Sequence, residues 1–160
     1  MKKKTIIIII LCIILIIIAG LVIFSHSINN TIKVGQTNFN IPQGYAEVYT
    51  KNNSANIIKG KNSIGIVCYD DNNINEHVNN YTLMKKNESI DIETREFNIN
   101  NIQVFKSNAE NDNSTIHYWF INNNKVYEIC SWNGDSNTDN IARNLIESTN
   151  SNFLSPLLHT

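Results

Sequence analysis

The chain has no surplus of basic residues, no paired metal-ligand spacing, no internal repeat and no long linker. Its 13 Lys and Arg stand against 14 Asp and Glu. Nucleic-acid binding needs a basic face, so that class of partner is set aside. Cysteine is scarce: the three are Cys12, Cys68 and Cys130, with no Cys-x-x-Cys pair. His26, His77, His117 and His159 are scattered, so no zinc centre is expected. Asp71-x-Asn73-x-Asn75 and Asp135-x-Asn137-x-Asp139 begin like calcium loops. Both lack the glycine at the sixth position and the glutamate at the twelfth. Each precedes an expected helix, where Asp and Asn serve as caps. No cofactor and no metal are expected, and no catalytic motif is found.

What the chain does have is a start of Lys2, Lys3 and Lys4 followed by an unbroken apolar run from Ile6 to Phe24. At about 1.5 Å per residue a helix of that length spans roughly 28 Å, close to the ~30 Å hydrocarbon core of a bilayer. Lysines beside a span tend to stay cytoplasmic. The expectation is a single transmembrane anchor, N-terminus inside and everything after Phe24 outside. A cleaved signal peptide is the competing reading, with Ser25 and Ser27 as small residues at the cleavage site; it would release a secreted soluble binder. The run is longer than the usual ~7–15-residue signal core. Cys12 lies mid-run between Leu11 and Ile13, without the small residues a lipoprotein site requires.

The division is therefore 1–27 for the lysines and anchor, 28–150 for one extracytoplasmic domain, and 151–160 for a C-terminal tail. Without the three leading lysines, four more acidic than basic residues remain. That balance also argues against docking on anionic head groups. Asn makes up about one residue in six, well above ordinary usage. It creates five glycosylation sequons, at Asn29, Asn52, Asn80, Asn87 and Asn113. Cys68 and Cys130 sit in apolar strand-like runs; they would either pair as a disulfide in an oxidising compartment or remain two buried thiols.

Alternation dominates the outer domain. Strands are expected at 31–34, 39–41, 45–50, 55–59 and 63–69, the last apolar on both faces and hence central. Ile74, Val78, Tyr81 and Met84 follow at helical spacing and end at Lys85-Lys86. A meander of 90–97, 102–107, 115–121 and 125–132 comes next, with Asn-rich turns including Asn122-Asn123-Asn124. A last helix carries Ile141, Leu145 and Ile146. The fold class expected is α+β: a central antiparallel sheet with helices packed on it, preceded by one transmembrane helix.

Phe39-Asn40-Ile41-Pro42-Gln43-Gly44-Tyr45 is similar to the F-x-I-P-x-G-Y/W opening of PsbP-like domains. Asn124-Lys125-Val126-Tyr127-Glu128-Ile129 resembles their penultimate sheet segment, and Ile141-Ala142 to Ile146-Glu147-Ser148 their closing helix. The resemblance spans most of Val34 to Ser148. It implies an α/β/α sandwich outside the cytoplasmic membrane, and a binding or assembly-assisting module rather than an enzyme. No ligand residues of the family map onto this chain.

Two constellations remain. A sortase-like transpeptidase would use Cys130 as nucleophile, His77 or His117 as base and Arg143 for the oxyanion. Tyr127-Glu128-Ile129 stands before Cys130 where that family has Thr-Leu-x-Thr, and Arg143 falls on an expected helix. Separately, Tyr118, Trp119 and Trp132 are candidate partner-binding aromatics, for another surface or membrane protein or for a sugar, if they face outward. The functional expectation is a single-pass, membrane-anchored binding or assembly module, with the anchored cysteine enzyme as the alternative.

Overall fold

Antiparallel strand is the main component of the described residues. The computed structural model describes residues 31–109 and 112–150. The expected anchor at Ile6–Phe24, His26, His159 and the tail 151–160 lie outside the described residues. The elements in order are β1 (Thr31–Val34), β2 (Thr37–Asn40), β3 (Ala46–Lys51), β4 (Ser54–Lys59), β5 (Asn62–Cys68), α1 (Ile74–Asn87), β6 (Ile92–Ile99), β7 (Ile102–Ala109), β8 (Asp112–Asn122), β9 (Lys125–Trp132) and α2 (Thr138–Ser148).

β1 and β2 form a separate antiparallel hairpin, while the other strands make one sheet in the order β3-β4-β5-β9-β8-β7-β6. Every pairing in that sheet is antiparallel. The turns explain the meander. Asn100 and Asn101 have φ of 46° and 68°, and Asn123 and Asn124 have φ of 50° and 60°. Two successive left-handed residues make the hairpin turn whose twist matches that of the strands, and Asn enters that region more readily than other side-chain-bearing residues.

The expected α+β sandwich is corrected here. Strand outweighs helix, and only two helices occur among the described residues. None of the described helices is long and apolar enough to cross a membrane. The physical reason is local. Two-residue Asn turns keep successive strands in one sheet, and the cover on its first face comes from the β1–β2 hairpin together with the short α2. Ile32, Val34 and Phe39 of the hairpin and Ile141, Leu145 and Ile146 of α2 join Ile57, Ile64, Ile66, Phe120 and Tyr127 in one core. Gly35 closes the hairpin at φ 59°, and a Cβ there would lie 2.6 Å from Cys68 Sγ. Only glycine meets both demands.

The second face carries much less. Ile74 and Val78 of α1 pack on Trp119 and Val126, flanked by Tyr69, Tyr81 and Phe105. Asn73 caps α1, its side chain accepting from the Glu76 backbone N–H at 3.3 Å. The first two turns of the helix are seated on the sheet by Ile74 and Val78, and Tyr81 follows on the same side.

Candidate functional site

A cavity of about 500 Å³ lies between α1 and the sheet. Tyr69, His77, Asn80, Tyr81, Met84, Lys85, Thr115, His117, Trp119, Glu128, Cys130 and Trp132 line it. Strand alternation selects these residues. Along β8, Thr115, His117 and Trp119 face α1, while Ile116, Tyr118 and Phe120 enter the opposite core. Along β9, Glu128, Cys130 and Trp132 share the α1 side. The register pairs His117 with Cys130, Trp119 with Glu128 and Thr115 with Trp132.

A continuous hydrogen-bonded chain runs across the cavity floor. Cys130 Sγ lies 3.5 Å from His117 Nε2, and His117 Nδ1 lies 2.5 Å from Glu128 Oε1. The Tyr69 hydroxyl donates to Glu128 Oε2 at 2.5 Å. The tautomer with Nδ1–H donating to Glu128 and Nε2 accepting from the Cys130 thiol satisfies every member. The imidazole is also held by rings: Tyr81 lies 4.2 Å from it centroid to centroid, and Trp119 stacks at 5.3 Å. Trp132 folds its indole over Gly65, where a Cβ would meet the ring at 2.9 Å. Gly65 is therefore the gap that seats the Trp132 ring.

Electrostatics follow from this burial. Desolvation alone would raise the Glu128 carboxyl, but hydrogen bonds from His117 and Tyr69 hold it below the usual range. Burial, reinforced by the neighbouring Glu128 charge, pushes the Cys130 thiol well above its ordinary value. Burial pushes Tyr81 up to about 12.

The sequence candidates divide by face. Cys68 and Cys130 are both buried free thiols. Cys68 lies in the hairpin-side core near Tyr127, on the opposite side of the sheet from Cys130, so the two do not meet. Tyr118 is 2% exposed, and its hydroxyl donates to Asp139 on the α2 side. Trp119 is 2% exposed beneath α1, whereas Trp132 is 41% exposed at the cavity rim. Of the three aromatics, Trp132 alone is available to an outside partner. Both calcium-like stretches lie at helix starts: Asp71 accepts from the Asn73 backbone N–H and contacts His77, and Asp135 accepts from the Asn137 backbone N–H.

The transpeptidase constellation comes together only in part. Cys130 and His117 meet, with Glu128 as a third member not anticipated from the sequence. Arg143 is on α2, whose buried residues join the opposite core. Cys130 is 4% exposed and has strand partners on both sides, so the surrounding backbone N–H groups are committed to the ladder. The site therefore offers neither an accessible thiolate nor free donors for an oxyanion. Tyr69, Tyr81, Gly65 and Glu128 were all missed as site residues. The signal for Glu128 was present: it shares the phase of Cys130 and Trp132 along β9.

No protein-family model and no curated protein matches the chain.

Proposed function

We propose that this chain is a membrane-anchored, extracytoplasmic binding module without catalytic activity, and that its ligand seat is the cavity under α1. The observation that carries the reading is the cavity itself: an aromatic-walled space with one indole at its rim and a fully hydrogen-bonded polar floor. Such a pocket, mostly apolar with a few fixed polar groups, is the common form of a small-ligand site. The apolar run Ile6–Phe24 behind three lysines supports the anchor and the orientation. The acidic balance of the remainder sets aside nucleic acid as the partner.

The ligand is a small molecule, or a side chain of a partner protein, with a planar or apolar body that stacks on Trp132 and Tyr81. Ligand-observed NMR of the full chain in detergent, with a library of aromatic, saccharide and amine fragments, tests this. Trp132→Ala is expected to weaken the hits by about tenfold or more, the loss of a stacking anchor. Fragments that bind equally well to Trp132→Ala, or no hits at all, would overturn the proposal.

A further inference from the structure

The cavity floor joins three metal-ligating side chains of different chemistry. One donor atom each from His117, Glu128 and Cys130 can be chosen so that all lie within 4.8 Å of one another. Among the described residues this is the one such group. We propose that His117, Glu128 and Cys130 form a three-ligand site for a divalent cation of the zinc class, with the fourth position open to the cavity. The inference rests on the cavity being a ligand seat and specifies what its floor holds.

Geometry supports it first. In a tetrahedral zinc site with Zn–S of about 2.3 Å and Zn–N of about 2.0–2.1 Å, sulfur and nitrogen stand about 3.5–3.6 Å apart. Cys130 Sγ and His117 Nε2 are separated by 3.5 Å. Completing the shell requires the Glu128 carboxylate, which lines the cavity, to turn from His117 Nδ1 toward the cation. Tyr69, which donates to Glu128 Oε2, then serves as the outer hydrogen-bond donor that orients a ligating carboxylate.

Charge supports it next. One thiolate and one carboxylate balance a dication, so the loaded floor is neutral with a neutral imidazole. The cation displaces the thiol proton to solvent, and no electron changes hands. The donor set selects the metal: one sulfur, one nitrogen and one oxygen suit zinc or cobalt(II), whereas magnesium and calcium require oxygen shells. The open fourth position is the arrangement of sites that accept an exogenous ligand.

The test uses the full chain in detergent, stripped with a chelator and titrated with cobalt(II). The expected result is one cobalt per chain, with a near-ultraviolet thiolate-to-cobalt band and the visible spectrum of a four-coordinate ion, both erased by zinc and not by magnesium. Cys130→Ser abolishes the thiolate band, while Cys12→Ser and Cys68→Ser retain it. Glu128→Gln keeps a thiolate ligand and weakens binding by at least the about 10–100-fold that loss of an outer-shell partner costs, which guards against a Cys130→Ser chain that fails to fold. Absence of the band at saturating cobalt, or its persistence in Cys130→Ser, would overturn the site. Fragment binding that survives either failure leaves the cavity reading standing.

Discussion

Glu128 is the residue on which the second face of the sheet depends. It is buried, it accepts from both His117 and Tyr69, and no Lys or Arg side chain is paired with it among the described ion pairs. Removing it leaves the His117 ring N–H and the Tyr69 hydroxyl buried without their acceptor, at a cost of about 1–3 kcal/mol each. Glu128→Ala is expected to lose stability of that order in urea unfolding, and Glu128→Gln less, because an amide still accepts one bond. The pH dependence has a definite sign. The native carboxyl sits below its unfolded value. Its contribution is therefore complete above the ordinary carboxyl range near about 4.3 and is lost as the pH falls from there through the lower native value. Denaturant melts in chelator should show the gap between parent and Glu128→Gln closing as the pH drops through that window. A gap that is constant or widens toward acid would contradict the assigned role.

At the scale of elements, the hairpin turns decide which side chains meet. Asn123 and Asn124 both stand at positive φ, where side chains other than those of Asn and Asp are costly. Asn124→Ala is expected to destabilise the chain by about 1 kcal/mol, and Asn124→Gly to be neutral or nearly so, measured by thermal unfolding. Equal effects of the two would remove the backbone explanation. The same turn shows how much was legible beforehand. The strands themselves could be read from alternation, and so could α1, from Ile74, Val78 and Tyr81. Register could not, because Asn122-Asn123-Asn124 reads equally well as a turn of two or three residues. A turn of two places Asn122 opposite Lys125, and counting back along both strands brings His117 opposite Cys130. A shift of one residue moves every side chain to the other face. The Cys130–His117–Glu128 chain was therefore one turn residue away from being foreseen.

For the whole molecule, the sheet divides labour between its faces. The hairpin and α2 seal one face into the main core, where Cys68, Tyr118 and Tyr127 are structural. Among the described residues the other face is covered by α1 alone, anchored at its first two turns by Ile74 and Val78, and it retains a cavity. Class was misread from sequence for a related reason: the pattern of alternation identifies strands but not what covers them, and a hairpin took part of the place expected for helices.

The most direct test of that account is chemical-shift mapping by NMR of the full chain in detergent with the strongest-binding fragment. The account predicts shifts concentrated on residues 80–85 of α1, on Thr115, His117 and Trp119, and on Glu128, Cys130 and Trp132. Shifts confined instead to the exposed edge strand around Val48 and Tyr49, or to the β1–β2 hairpin, would place the ligand elsewhere and contradict it.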